Sequence, residues 1–204
     1  MGLDGLGAVE DNRSMKDEAP PIKRQRRARK PPKPLTRERL EKAALAYLER
    51  YASSAANLRR VLARRAQRAA EIPGSADPAQ ARAWIETLIE RYRAAGLLND
   101  AAYAEAQARS ARRLGRSSRA IGERLKAKGV DRETAARALA NADEDAAQPE
   151  ETAALSFARR RKLGPFRKAA RREHRERDMA ALARAGFSYD IARNVIDSGG
   201  EADE

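Results

Sequence analysis

The stretch "LKAKGVDRETAARAL" runs from Leu125 to Leu139, and at a constant offset of 57 residues Leu182 to Ile196 reads "LARAGFSYDIARNVI". In both, a glycine (Gly129, Gly186) follows a run of helix formers, a larger apolar residue comes next (Val130, Phe187), and a short polar residue follows it (Asp131, Ser188). Glycine takes the left-handed conformation that ends a helix, the apolar residue packs back over the last turn, and the polar oxygen caps the next helix. Gly96, Leu97 and Leu98 before Asn99 and Asp100 make a third such junction. Each one turns a chain into a helical hairpin. From Thr36 onward Ala, Leu, Arg and Glu dominate and alternating strand patterns are missing, so the fold class is all-α.

The aligned pairs extend to Leu125 with Leu182 and Leu139 with Ile196, which marks an internal repeat. "SSAANLRRVL" likewise echoes "SSRAIGERLK", with the same spacing from Ser54 to Leu62 as from Ser117 to Leu125. These echoes predict an elongated, curved array of three tandem three-helix units. The expected boundaries are 35–96, 97–142 and 150–197, flanked by a disordered basic tail at 1–34 and a disordered C-terminus at 198–204. Thr36 predicts a cap for a first helix reaching about Tyr51, with Leu45, Leu48, Tyr47 and Tyr51 as its apolar side. Ser53 or Ser54 opens a second helix carrying Leu58, Val61 and Leu62. Asp77 before Pro78 opens a third, with Trp84, Ile85, Leu88, Ile89 and Tyr92 in one stripe. Residues 141–151 hold five acids and no base, which predicts a solvated acidic linker around 143–149.

Of the 204 residues 42% are hydrophobic, but much of that share is alanine and aromatics supply only 4%, so the core is expected to be thin and spread over several helices. The net charge is +13. The first 34 residues contribute nine basic and five acidic groups, which leaves +9 on the rest and points to a polyanionic partner for the folded part. The tail, with its run "KRQRRARKPPKP", has too few apolar groups to offset the entropy of ordering. There is no cysteine, so disulfides, thiol nucleophiles and thiolate-bound zinc are excluded. No apolar run approaches the roughly 18 residues a membrane span needs, and the N-terminus is too polar for a signal peptide. The expected location is the cytoplasm.

Catalytic chemistry has little to work with. His174 is the one histidine, set in "RREHRERD" without a serine or cysteine partner, and neither a phosphate-binding loop nor a dinucleotide fingerprint occurs. Asp143, Glu144 and Asp145 read as solvated linker carboxylates rather than cation ligands. The basic residues carry more information. Arg109, Arg112, Arg113 and Arg116 fall at i, i+3, i+4 and i+7, which predicts four guanidinium groups along one side of a helix or its final turn. Arg60, Arg64 and Arg68 repeat beside the Leu58 face, and Arg159, Arg160, Arg161 and Lys162 form a run in the third unit. Like charges so placed repel, so a bound anion is the expected compensation.

The chain resembles the RecX regulators, bacterial proteins that bind the RecA recombinase and modulate, usually inhibit, its action on DNA. "GLLNDAAYA" is similar to that family's junction, with Asn99 in place of the first acid. Arg109, Arg112, Gly115, Ile121, Leu125, Gly129 and Val130 stand in the family's basic-helix, turn and R-I-x-x-x-L-x-x-x-G pattern, although Ala120 replaces the usual base before Ile121. "RRRKLGPF" and "AGFSYDIARNVI" resemble its closing unit. The resemblance implies three three-helix units lying in the groove of a RecA filament, no cofactor, no catalytic residue and no membrane. The expected partners are the RecA filament and the single-stranded DNA within or beside it, met by a monomer. The candidate contacts are Arg60, Arg64, Arg109, Arg112, Arg113, Arg116, Arg119, Arg124, Lys126, Arg159, Arg160, Arg161 and Lys162, while Trp84, Leu88, Leu125 and Leu182 hold the units together. Two other readings fit the charge: a sequence-nonspecific DNA-binding helical protein, and a helix-turn-helix transcription factor built around the Gly129 turn, whose following helix "RETAARALAN" is poor in base-reading side chains.

Overall fold

Thr36 sits in extended backbone and its side-chain oxygen accepts the Arg39 N–H, opening α1 at Arg37–Leu48. The same device starts most of the helices that follow. The computed structural model describes residues 33–144 and 146–198, and the 1–32 part of the basic tail, Asp145 and residues 199–204 lie outside them. Ser54 caps α2 (Ala55–Ala69) and Asp77, with Pro78 in the first position, caps α3 (Pro78–Ala94). Asn99 caps α4 (Asp100–Arg113), Ser117 caps α5 (Ser118–Ala127) and Asp131 caps α6 (Arg132–Asp143). Pro149 opens α7 (Pro149–Arg161), a 3-10 turn spans Gly164–Phe166, and α8 (Arg171–Arg184) and α9 (Tyr189–Asp197) follow, the latter capped by Ser188. Among the described residues there are nine α-helices and no strand.

The glycine junctions behave as their chemistry requires. Gly96, Gly129 and Gly186 have φ of 72°, 77° and 95°, the left-handed region. After each glycine a backbone N–H reaches back over the turn: Leu98 to the Tyr92 carbonyl at 3.1 Å, Val130 to Leu125 at 3.1 Å, Phe187 to Leu182 at 3.2 Å. That bond satisfies a carbonyl the helix end would otherwise orphan.

Three apolar clusters result, one per group of three helices. Leu40, Leu58, Leu62, Ile85, Leu88 and Ile89 centre the first; Ile121, Leu125 and Val130 the second, with Ala104, Ala108, Ala111 and Ala138; Leu182, Phe187, Val195 and Ile196 the third. Fully burying one such Leu or Ile contributes roughly 1.5–3 kcal/mol, whereas alanine contributes far less, so the second cluster is the thinnest. The expected face of α1 holds for Tyr47 and Leu48, which pack half-buried against the first cluster, and needs correction for Leu45 and Tyr51. Leu40 and Ala44 are its buried residues, while Leu45 is 40% and Tyr51 57% exposed. The helix ends at Leu48, so Tyr51 lies past it and packs against Tyr47 with the rings tilted and their centres 5.2 Å apart.

Consecutive units meet through one repeated joint. The Ser54 hydroxyl accepts the Asn57 N–H and donates to the Lys128 carbonyl at the end of α5. Ser117 does the same one unit later, accepting from Ala120 and donating to the Ala185 carbonyl at 2.7 Å. Beside each serine, an acid from the first turn of the next unit accepts the first N–H of the capped helix: Asp100 from Ala55 at 2.8 Å, Glu150 from Ser118 at 3.0 Å. Two orphan donors and one orphan carbonyl are thus satisfied at each joint by residues from both units. The glycines allow the approach. A Cβ on Gly129 would lie 2.4 Å from the Ala56 Cβ, and one on Gly186 2.6 Å from the Ser117 Oγ.

Candidate partner-binding surface

The basic helix α4 does not present its arginines as one ridge. It ends at Arg113, and Gly115, at φ 62°, turns the chain so that Arg116 lies beyond the helix. The turn is forced close to the next unit, because a Cβ at Gly115 would stand 2.7 Å from the Ala153 carbonyl oxygen. Arg112 points inward there, with its side chain only 8% exposed. Its Nε and Nη2 donate to the two Asp143 oxygens at 2.7 Å each, and its Nη1 donates to Glu150 at 2.7 Å and to the Arg116 carbonyl at 3.0 Å. Nη2 also reaches the Ser118 hydroxyl. Burial pushes the Arg112 guanidinium down, but Asp143 and Glu150 outweigh it and hold it above its ordinary value. Burial likewise pushes Glu150 up, and its bonds from Ser118 and Arg112 bring it below the usual carboxylate range.

Two expectations are corrected by this cluster. Arg112 is a clasp between α4, α6 and α7 rather than a contact for a polyanion, since its donors are taken within the fold. Asp143 closes α6 and Glu150 sits in the first turn of α7, so these acids of the expected solvated linker are structural ligands of Arg112. Glu144 alone of the Asp143, Glu144 and Asp145 run is described and exposed.

The other candidates divide by whether they are engaged. Arg60 donates to the Ala127 carbonyl at 2.7 Å, Arg124 reaches Gln107 at 3.4 Å, and Arg109 pairs with Glu105 at 3.4 Å. Arg159 lies over the Phe166 ring and Arg161 over Phe157. Arg64, Arg113, Arg116, Arg119, Lys126, Arg160 and Lys162 are exposed, and their side chains have no hydrogen bond or ion pair among the described residues. Arg113, Arg116 and Arg119 gather around the turn between α4 and α5, where the Arg119 stem rests beside Gly186 of the following unit. Trp84 packs half-buried against the first cluster, and Leu88, Leu125 and Leu182 are core residues.

A further basic group includes one sequence candidate, Arg161, and three arginines that the sequence reading did not single out. Arg161, Arg167, Arg177 and Arg184 line a cleft of about 330 Å³ in the third unit, together with Leu163, Asp178 and Ala181. Arg177 and Arg184 were legible only as members of the polar run of α8; their spacing of seven is the signal that sets them on one face. His174 is half-exposed in the same helix. No cluster of three or more His, Asp or Glu able to hold a metal occurs among the described residues, and no helix there is long and apolar enough to cross a membrane.

This fold and surface define a tandem three-helix-repeat protein with unengaged cations exposed on each unit. Comparison with known proteins narrows the class. Residues 99–139 match the second three-helix domain of RecX. The regulatory protein RecX of Myxococcus xanthus (strain DK1622) is 46% identical over 180 residues, covering 87% of this chain and 95% of that one. That of Agrobacterium fabrum is 36% identical over 155 residues, 76% of this chain and 79% of its relative. The chain belongs to the RecX family of regulatory proteins. The crystal structure of RecX from Lactobacillus salivarius, 22% identical, shares the fold at a TM-score of 0.56 over 79% of this chain and 94% of that one. A second RecX crystal structure, 17% identical, gives 0.58 over 79% and 72%.

Proposed function

We propose that this chain binds RecA filaments on single-stranded DNA and inhibits the recombinase, its strand exchange and its ATP hydrolysis, without covalent chemistry of its own. It acts as a cytoplasmic monomer, with its units at 35–96, 97–142 and 150–197. The observation that carries this reading is the cluster of Arg113, Arg116 and Arg119, three exposed guanidinium groups at one turn with no carboxylate partner among the described residues. Exposed cations kept apart from the protein's own acids cost solvation nothing and attract an anionic surface over a Debye length of about 8–10 Å. A nucleoprotein filament offers such a surface along its groove, and membership of a family of regulatory proteins supports the choice of partner. Arg64, Lys126, Arg160 and Lys162 extend the contact, and Arg60, Arg109, Arg124, Arg159 and Arg161 join it by exchanging their exposed internal contacts.

Capture on beads bearing assembled filament, monomeric RecA or bare single strands separates this from direct DNA binding. Retention on filament well above both other supports fits the proposal. Equal retention on bare strands, falling steeply with salt, contradicts it and makes the chain a nonspecific DNA-binding protein.

A further inference from the structure

The cleft in the third unit holds four arginines, of which the fold pairs one with a carboxylate. Asp178, 1% exposed at its floor, is the cleft's acid and it is fully engaged. It accepts the Gly164 N–H at 2.8 Å and both Nε and Nη2 of Arg167, at 3.1 and 2.7 Å. Burial pushes the Asp178 carboxyl up, but the Arg167 guanidinium and the Gly164 N–H outweigh it and hold it below its ordinary value. Asp178 and Arg167 therefore cancel as a fork-to-fork ion pair. Three charges remain. Arg177 and Arg184 are exposed, seven residues apart on α8, and have no hydrogen bond or ion pair among the described residues; Arg161 from the last turn of α7 touches only the Phe157 ring, 5.6 Å from its guanidinium carbon.

Two half-exposed arginines do find carboxylates: Arg59 with Glu86 and, on α8 itself, Arg175 with Asp197, both bidentate. Leaving three guanidinium groups around one concavity stores like-charge repulsion that an anion relieves. The planar guanidinium fork matches phosphate oxygens two at a time. A volume of about 330 Å³ falls at the lower end of the roughly 300–1,000 Å³ of small-ligand sites. Leu163 and Ala181 line it without supplying a competing acceptor.

We propose that this cleft is a site for a compact oligophosphate, either inorganic pyrophosphate or the phosphate chain of a nucleoside di- or triphosphate, gripped by Arg161, Arg177 and Arg184. Three fixed positive charges in one hollow match an anion that concentrates about three negative charges in two linked phosphates. A nucleic-acid backbone, with one charge per phosphate, cannot deliver that density. The site needs neither recombinase nor DNA to be occupied; it shares Arg161 with the proposed filament contact, whereas Arg177 and Arg184 belong to the cleft alone.

Isothermal titration of the full chain at low ionic strength tests it, with pyrophosphate, ATP, AMP and an oligonucleotide lacking terminal phosphates as four separate ligands. Pyrophosphate is expected to bind at one site per chain, and ATP with it if a nucleotide is the natural source; AMP binds at least tenfold more weakly. R177Q/R184Q is expected to weaken pyrophosphate roughly tenfold or more, while R177K/R184K, which keeps the charge and loses the fork, falls between. Circular dichroism confirms that each variant is folded, and both positions are exposed, so the melting point should not move. No heat from pyrophosphate, or binding that ignores R177Q/R184Q, overturns the proposal. So does an effect of that variant confined to the oligonucleotide, which would make the cleft part of a strand-binding surface. Filament capture is scored separately on the unaltered chain, so either reading can fail alone.

Discussion

Replacing Arg112 by Ala is expected to damage the fold more than any exposed arginine can. Its guanidinium makes two bonds to Asp143 and one to Glu150, all 2.7 Å, with its side chain 8% exposed. Removing one partner of a buried ion pair costs about 3–5 kcal/mol, mostly because the other charge stays behind. Asp143 and Glu150 are 18% and 28% exposed, so water recovers part of that and the expectation falls to about 2–4 kcal/mol. For a chain of this size that is a fall in melting temperature of roughly 5–15 °C. Urea denaturation followed by far-UV circular dichroism measures it directly, alongside R113A, which is expected to stay within about 0.5 kcal/mol of the parent. A double-mutant cycle with E150Q should return a coupling of about 1 kcal/mol or more. If R112A matches R113A, the clasp carries no stability and Arg112 reverts to a candidate surface contact.

Other outcomes follow from the joints and the acids. S54A and S117A each remove a cap and the bond to the next unit's carbonyl, and each should cost about 1–2 kcal/mol in the same denaturation assay. G129A places a methyl 2.4 Å from Ala56 at φ 77° and should destabilise by at least about 2 kcal/mol, whereas G96A meets open space and pays about 1 kcal/mol for its left-handed backbone alone; equal losses would mean the units do not press together at Gly129. Asp178 and Glu150 are both held below their ordinary values in the fold, so their stabilisation is complete above about pH 4–5 and is lost as the pH falls through their lowered values. D178N and E150Q should therefore flatten the acid limb of the stability profile, and a limb unchanged in both would contradict the assigned bonds.

What could be read from the chain alone was what is local. Gly129, Val130 and Asp131 signal a helix end, a return contact and a new cap within three residues, and the structure forms all three. Asp77 with Pro78 and the stripe from Ile85 to Tyr92 are local in the same sense, and both appear as expected. Arg112 was misread because its partners lie 31 and 38 residues away, and spacing along a helix says nothing about which face a later helix will cover. Leu45 was misread because α1 turns its Leu40 and Ala44 face to the core, a choice that depends on where α2 and α3 pack. The role of Ser54 and Ser117 was half legible: their repeat spacing was visible, but the carbonyls they reach, on Lys128 and Ala185, belong to the next unit. The cleft arginines of α8 read as one more charged helix because nothing in sequence marks which of them lack an acid.

The central claim is that cations at the α4–α5 turn, free of the protein's own acids, hold the chain on a RecA filament. Biosensor binding to filament assembled on tethered single strands, comparing the parent chain with R113E/R116E/R119E after confirming equal melting temperatures, tests it most directly. Loss of at least tenfold in affinity with a shallower salt dependence is the predicted result; an unchanged affinity in a folded triple variant would contradict it.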